Sequence, residues 1–129
     1  MSMVETVFAD EGYDSNMPFS QGRIHNDVLY TAGQVPKDPE TSEIVGEGIE
    51  EQTRQTMKNL DAILNAAGTS FENVLKATVF LTNMSDYEEF NETYRELMPE
   101  PHPGRSTVEV SNLAIDVKVE IEMTVALTE

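Results

Sequence analysis

The 129-residue sequence contains no cysteine and no tryptophan, and it has only two histidines. Without cysteine the chain forms no disulfide, no thiolate metal site and no cysteine nucleophile. Two histidines, His25 and His102, cannot hold zinc without carboxylate help, so we expect no metal. No apolar run approaches membrane-spanning length and no signal-peptide pattern opens the chain. We therefore expect a cytoplasmic protein with no membrane partner.

Basic residues are also scarce. The chain has eight Lys plus Arg against 24 Asp plus Glu, and its formal net charge is −16. The acidic residues alternate with periodic apolar positions, which a disordered acidic segment would lack. The composition therefore suggests a folded, acid-coated protein adapted to a salt-rich cytoplasm, where the Debye length falls to roughly 3 Å at 1 M salt. The same charge argues against a nucleic-acid partner.

The first half of the chain alternates between strand-like and helix-like patterns. The first eighteen residues are polar and irregular, and no strand is predicted there. Strands are predicted over 19–25 and 28–32, and Asn26-Asp27 between them suits a hairpin turn. Helical spacing of apolar residues follows over 49–67, and Gly68 occupies a C-cap position.

The second half repeats this alternation. Residues 74–82 are rich in β-branched and aromatic residues, which predicts a strand buried on both faces. Ser85 followed by Glu88 has the spacing of a capping box and predicts the start of a second helix. After a proline-rich segment, strands are predicted over 105–110 and 117–127, and the last alternates apolar and polar residues.

The order β-β-α-β-α-β-β predicts an α+β fold with one domain over residues 1–129. Two helices can cover one face of a mainly antiparallel sheet. The opposite face must then meet solvent or another subunit.

The familiar catalytic motifs are missing, including GxSxG, HExxH, the Walker A loop and GxGxxG. Arg105 begins a strand after the proline-rich segment and suits bidentate capture of a carboxylate, although a structural salt bridge is the commoner role. Glu120 lies within the last strand, where it could orient or deprotonate a water, yet polar alternation usually marks a solvated face. Asn91 on the second helix could bond a ligand or a nearby loop.

Six segments of this sequence, taken together and in order, form a specific pattern. They are PFSQG (18–22), TAGQVP (31–36), TVFL (78–81), FNETY (90–94), PGRSTVEV (103–110) and DVKVEIEM (116–123). Over nearly the whole chain, this pattern resembles the RidA/YjgF family. The resemblance implies a chorismate-mutase-like subunit, three of which close into a homotrimer with ligand clefts between subunits.

The resemblance also implies roles for individual residues. Arg105 would clamp the substrate carboxylate and Glu120 would position the hydrolytic water. Gly33, Asn91 and the backbone around Thr107 would line the pocket.

Two departures from the family pattern affect the same pocket. Phe19 stands where tyrosine is common, and Ala32 stands where serine is common. Each replacement removes a hydroxyl group, so we expect a less polar lining and an altered substrate range.

The implied reaction is hydrolysis of reactive imines such as 2-iminobutanoate or 2-iminopropanoate, formed from 2-aminoacrylate-like enamines, to 2-keto acids and ammonia. An electrophilic imine carbon needs only anchoring, water placement and proton transfer, so no cofactor is expected. Two alternatives stay open. One is a non-catalytic sensor of small carboxylates such as 2-keto acids, and the other is an endoribonuclease or translation inhibitor of the L-PSP type, which the charge disfavours.

Overall fold

The computed structural model describes residues 3–127. Its strands are β1 (Glu5–Val7), β2 (Gly22–His25), β3 (Val28–Thr31), β4 (Val74–Leu81), β5 (Gly104–Glu109) and β6 (Val119–Ala126). Its α-helices are α1 (Ile49–Ala67) and α2 (Tyr87–Leu97), and short 3₁₀ turns occupy Phe71–Asn73 and Met84–Asp86. The strands form one six-stranded sheet in the order β1-β2-β3-β6-β4-β5.

The sheet is mainly antiparallel, as predicted. The pairs β1–β2, β2–β3, β3–β6 and β6–β4 are antiparallel, and only β4 and β5 run parallel. A parallel pair needs a crossover connection, and α2 supplies it here. The α+β architecture with two helices is therefore confirmed.

Two predicted local features are also confirmed: the hairpin turn between β2 and β3, and the glycine C-cap at the end of α1. Asn26 and Asp27 have φ angles of 53° and 64°, the left-handed values that a two-residue hairpin requires, and His25 pairs directly with Val28. Gly68 has a φ of 83°, and its N–H donates to the Asn65 carbonyl, which ends α1.

The core lies between one face of the sheet and the two helices. The apolar residues of α1 at helical spacing are almost fully buried against β6 and its neighbours: Ile49, Met57, Leu60, Ile63 and Leu64. The alternating residues of β6 face them: Val119, Ile121, Met123 and Val125. Each buried side chain of this kind contributes about 1.5–3 kcal/mol relative to exposure.

Four predictions about individual elements are wrong. The short strand β1 pairs with β2 although no strand was predicted before residue 19, since three residues at a sheet edge carry too little pattern. In β4, Val79 is fully buried on the helix face but Phe80 on the other face is partly exposed, so the strand is buried on one face only in this subunit. The strand predicted from residue 19 begins at Gly22.

The fourth error concerns the start of α2. Ser85 lies in a 3₁₀ turn, where its N–H donates to Asn83 Oδ1 at 2.9 Å. Helix α2 begins only at Tyr87, and its N-cap Asp86 makes no side-chain capping bond. The predicted capping box of Ser85 and Glu88 does not form, because the Asn83 side chain occupies the local N–H first.

Within residues 3–127, neither helix combines the length and the apolar composition that a membrane crossing requires.

Candidate functional site

The two principal predicted residues, Arg105 and Glu120, project from opposite faces of the sheet. In the sheet register Arg105 pairs with Ala77, and Glu120 pairs with Phe80. Paired residues share a face, whereas residues three apart along β4 point to opposite faces. Ala77 is fully buried beneath the helices, so Arg105 is on the helix side and Glu120 is on the open side. One subunit therefore does not bring the two side chains together.

Glu120 borders a cavity of about 580 Å³ on the open side. Three stretches of chain form its walls: residues 13–21, residues 32–37, and the pair Ala114 and Ile115 before β6. Phe19, Ala32 and Gly33, which were predicted to contact substrate, all line this cavity. The structure thus groups three of the other six predicted site residues around Glu120.

The Glu120 carboxyl group packs directly against the backbone of Gly33. A β-carbon built on Gly33 would lie 2.8 Å from Glu120 Cδ and would overlap the carboxyl group. The neighbouring Gln34 exchanges backbone hydrogen bonds with Ile121 at 2.8 and 3.1 Å, which holds the loop beside β6. Glycine is therefore required at position 33 so that the carboxyl group can occupy this place.

Side chains of helix α1 hold the loop that carries Gly33 through hydrogen bonds. Asn59 is 1% exposed, and its Nδ2 donates to the Val35 and Lys37 carbonyls at 2.9 Å each. Gln55 Nε2 donates to Asn59 Oδ1 at 3.0 Å, which satisfies the other end of the amide. These buried polar bonds, absent from the sequence-based prediction, set the height of the loop that carries Gly33.

The opposite wall depends on Gln21, which is buried. Its Oε1 accepts from the Ala9 N–H at 2.6 Å, and its Nε2 donates to the Tyr13 carbonyl at 3.0 Å. Both ends of the amide are used to hold the irregular segment that carries Met17 and Phe19 against the sheet.

Burial raises the pKa of Glu120, and the nearby Glu122 carboxylate raises it further. The side chain is half-buried, so the charged form loses part of its hydration. A carboxylate with a raised pKa is a stronger base than an exposed one. Glu120 can therefore accept a proton from a water molecule held in the cavity.

Arg105 borders a second cavity, of about 320 Å³, beside α2. Its guanidinium carbon lies 4.9 Å from the ring centroid of Tyr94, 5.4 Å from that of Phe90 and 5.7 Å from that of Tyr87. One terminal nitrogen also donates to the Tyr87 hydroxyl at 3.4 Å. The three rings hold the guanidinium by cation–π attraction and leave donors available for a ligand.

The structural salt bridge considered for Arg105 is not found. No carboxylate of residues 3–127 lies within 4.0 Å of its guanidinium, whereas Arg54 pairs with Glu50 and Glu96. Arg95 and His102 line the same cavity as Arg105. In a chain with eight Lys plus Arg, two arginines and a histidine thus line one cavity, and side chains of this kind can bind an anion.

The two remaining predicted residues, Asn91 and Thr107, both lie away from the Glu120 cavity. Asn91 lines the Arg105 cavity from α2. Thr107 lies two residues beyond Arg105 on β5 and lines neither cavity, and its buried Oγ1 has no hydrogen-bond partner within residues 3–127. Tyr94, whose pKa is raised by burial and lowered in part by Arg105, completes the aromatic wall.

Sequence reasoning missed several lining residues. Around Glu120 these are Met17, Val35, Lys37, Ala114 and Ile115, and around Arg105 they are Tyr87, Tyr94, Arg95 and His102. Most lie in irregular segments, where no periodicity marks a side chain. Tyr87 and Tyr94 instead lie on helix α2, and their spacing places them on one face of it.

Comparison with known proteins agrees with this architecture. The family model described as Endoribonuclease L-PSP matches residues 11–127. A RutC family protein of Pyrococcus horikoshii is 45% identical over 120 residues, which cover 93% of this chain and 95% of that protein. Reactive Intermediate Deaminase A, chloroplastic, of Arabidopsis thaliana is 37% identical over 118 residues, which cover 92% of this chain and 63% of that protein.

Solved structures show the same fold. RidA from the Antarctic bacterium Psychrobacter superposes with a TM-score of 0.91 at 35% identity, over 95% of this chain and 98% of that chain. E. coli TdcF with bound serine gives a TM-score of 0.88 at 32% identity, over the same two shares. The fold and the paired cavities define a small α+β protein of the RidA-like class. This chain belongs to the RidA/YjgF family.

Proposed function

We propose that this protein is an imine deaminase that hydrolyses 2-imino acids such as 2-iminobutanoate and 2-iminopropanoate to 2-keto acids and ammonia. The observation that carries the proposal is the Glu120 carboxyl group, half-buried against Gly33 and made more basic by its surroundings. A relative that is 37% identical is named a reactive intermediate deaminase. TdcF, a structural relative, was solved with serine bound, so its site accepts a small amino acid.

The proposed assembly is a homotrimer whose active sites lie between subunits. Each subunit presents an anion cavity at Arg105 on one side of the sheet and a base at Glu120 on the other. The open sheet face also exposes Tyr30 and Val108 at 52% and 43%. Packing the Arg105 side of one subunit against the Glu120 side of the next would cover apolar surface and join the two functional groups.

In the proposed mechanism Arg105 binds the substrate carboxylate with two parallel hydrogen bonds. Glu120 takes a proton from a water molecule as the water oxygen bonds to C2 of the imine. The C=N electron pair moves to nitrogen, which takes up a proton, and a carbinolamine forms. Loss of the hydroxyl proton and cleavage of the C–N bond then release ammonia and leave the 2-keto acid.

Mixing of two inactive variants tests both the residues and the shared site. A PLP-dependent dehydratase generates 2-aminoacrylate in the assay, and the protein competes with semicarbazide for the imine. Arg105→Ala and Glu120→Gln are each expected to abolish the competition. After co-refolding in equal amounts, roughly a quarter of the wild-type activity should return, since a random trimer pairs one intact Arg105 with one intact Glu120 at that frequency.

The controls separate the possible outcomes. Arg54→Ala removes an arginine that makes only exposed ion pairs and should keep wild-type activity. Sedimentation should give the mass of three 14.4-kDa chains for each variant. If the co-refolded mixture stays inactive while sedimenting as a trimer, the site is not shared between subunits. If wild type hydrolyses no imine, the deaminase proposal is wrong.

A sensor of small carboxylates is the second candidate, because the Arg105 cavity would bind a 2-keto acid without any chemistry. Calorimetric binding of pyruvate to wild type and to Glu120→Gln, in a protein that turns over no imine, would favour the sensor. The family model carries an endoribonuclease description, so RNA cleavage in high-salt buffer should be measured with Arg105→Ala as the control.

A further inference from the structure

The Arg105 cavity has more cationic side chains than the binding of one carboxylate requires. Arg95 and His102 border the same space of about 320 Å³ as Arg105. The whole chain has only eight Lys plus Arg and two His, against 24 Asp plus Glu. Three of these ten basic side chains therefore meet at one small cavity of a strongly acidic protein, which calls for an explanation beyond a single clamp.

Arg95 lies on the cavity side of α2 and has no acidic partner there. It follows Asn91 by four residues, so the two side chains share a face of the helix, and both line the cavity. No carboxylate of residues 3–127 lies within 4.0 Å of the Arg95 guanidinium, although α2 also carries Glu92 and Glu96. Glu96 pairs instead with Arg54 on α1. The Arg95 guanidinium can therefore pair with an anion that enters the cavity.

His102 adds a further hydrogen-bond donor from the proline-rich segment. Its Nε2 lies 3.9 Å from a carboxylate oxygen of Glu100, whose side chain is 82% exposed. A contact of this length to an exposed partner contributes little, so an incoming anion can replace it. The imidazole ring can donate a hydrogen bond whether it is neutral or charged.

The volume and the walls of the cavity suit a short carbon chain with an anionic group at each end. The cavity would hold roughly ten water molecules at about 30 Å³ each, which is far more than one carboxylate displaces. Tyr94 and Pro103 give it apolar walls for the carbon chain. The Arg105 guanidinium uses one N–H, which donates to the Tyr87 hydroxyl, and keeps its other donors for the first carboxylate.

We propose that the Arg105 cavity is a two-anion site for dicarboxylic 2-keto and 2-imino acids. Arg105 binds the carboxylate next to C2, and Arg95 and His102 bind the distal carboxylate. As a statement about substrates this rests on the proposed deaminase function, whereas binding of a keto acid can be measured without turnover. Hydrolysis at C2 is unchanged, and selectivity arises because a neutral side chain leaves Arg95 without an anion.

2-Ketoglutarate and 2-ketopentanoate form a matched pair of ligands, because they have the same carbon chain and differ in the distal carboxylate. Calorimetry at one fixed ionic strength gives the dissociation constant of each on the wild-type protein. 2-Ketoglutarate should bind about tenfold more tightly, or better, since its second carboxylate accepts charge-assisted hydrogen bonds. The net charge of −16 acts in the opposite direction, because it repels a dianion more than a monoanion.

Arg95→Gln tests the second half of the site. The residue is exposed on α2, so the fold should be kept. The preference for 2-ketoglutarate should fall to near one, and Arg95→Lys should restore part of it. His102→Gln should lower the preference by a smaller factor. Arg23→Gln is the matched control, since it removes the same charge from an exposed residue of β2 that lines neither cavity, and it should leave the preference unchanged.

The same preference should appear in turnover. Amino-acid oxidases with catalase generate the imines of glutamate and norvaline, and competition with semicarbazide gives kcat/KM for each. The glutamate-derived imine should be hydrolysed several-fold more efficiently by wild type, and Arg95→Gln should remove this advantage.

Each outcome decides one of the two statements. Equal binding of the two keto acids to wild type, or binding of neither, would overturn the two-anion site. An unchanged preference in both Arg95→Gln and His102→Gln would overturn it too. A loss in Arg23→Gln as large as that in Arg95→Gln would assign the effect to net charge, with the same consequence. If 2-ketoglutarate binds with the expected preference but no imine is hydrolysed, the two-anion site stands and the deaminase function fails.

Discussion

The two cavities are built in different ways. The Arg105 cavity takes all its lining residues from one stretch of chain, 87–105, because α2, the proline-rich turn and β5 follow one another. The Glu120 cavity combines residues 13–21, 32–37 and 114–120. The Arg105 cavity is thus assembled from one local crossover, whereas the Glu120 cavity depends on contacts between distant parts of the chain.

The cavities also differ in whether their surroundings stabilise the charged form of Arg105 or of Glu120. The rings of Tyr87, Phe90 and Tyr94 stabilise the Arg105 guanidinium, by about 0.5–1 kcal/mol for a cation–π contact at an exposed site. Burial and the neighbouring Glu122 disfavour the charged form of Glu120. The Arg105 guanidinium therefore has stabilising contacts in its cavity, whereas the charged form of Glu120 is destabilised in the other cavity.

The largest expected effect is a loss of activity when the position of the Glu120 carboxyl group is disturbed. Gly33→Ala should lower kcat/KM for 2-aminoacrylate by about a hundredfold, since the new methyl group displaces the carboxyl group by an ångström or more. Steady-state competition with semicarbazide measures the loss. Binding of pyruvate at the Arg105 cavity of the same variant should be weakened far less.

Gly48→Ala is the matched control for this substitution. A β-carbon on Gly48 has no atom within 4 Å, and its φ of −103° is accessible to alanine. Its activity should equal that of wild type. Wild-type turnover by Gly33→Ala would show that the position of the Glu120 carboxyl group does not matter for catalysis.

The second expected effect, of intermediate size, is a change in thermal stability with salt concentration, which acts on the charges of the whole surface, including both cavities. Within residues 3–127 the basic partners in ion pairs are only Arg54 and His102, so most acidic side chains repel one another without compensation. Molar KCl should screen this repulsion and raise the Tm by several degrees. A thermal melt series in KCl measures it, and an unchanged Tm would remove the salt-adaptation hypothesis.

The smallest expected effect isolates the cost of burying Glu120. A carboxyl group whose pKa is raised by folding stabilises the protein below the ordinary glutamate pKa, and this contribution is lost as the pH rises through the raised pKa. At pH 7 the charged form therefore costs stability, and Glu120→Gln should raise the Tm by about a degree or two. The difference should disappear near about pH 4.

Glu72→Gln separates this local effect from a general loss of negative charge. Glu72 is exposed in the turn before β4, so its substitution removes the same charge without relieving burial. A rise in Tm as large as that of Glu120→Gln would show that net charge, and not the cavity, sets the effect.

Local patterns predicted the elements of this fold well where they were long or chemically explicit. The helical spacing over 49–67 matched α1, and the Asn26-Asp27 pair matched the hairpin turn. Prediction failed where two side chains compete for the same backbone N–H, and where a strand is very short. Asn83 displaced the expected Ser85 cap, and β1 was too short to be recognised.

Some residues of the candidate site could also be predicted from the sequence, and others could not. Motif resemblance predicted Arg105 and Glu120 as the principal residues and Gly33 as a lining residue, and the structure places Gly33 against Glu120. It did not predict Asn59, the buried amide that holds the loop carrying Gly33. A buried polar side chain carries no periodic signal, because its partner is a backbone group far away in the chain.

By itself the sequence determined the family, the acidic composition, the absence of thiol chemistry, and the arginine and glutamate on which the proposed reaction depends. Only the tertiary structure decided that Arg105 and Glu120 project from opposite faces, in separate cavities. The reason is physical. The direction of a side chain depends on the register of its strand, and a shift of one residue in that pairing would reverse every face.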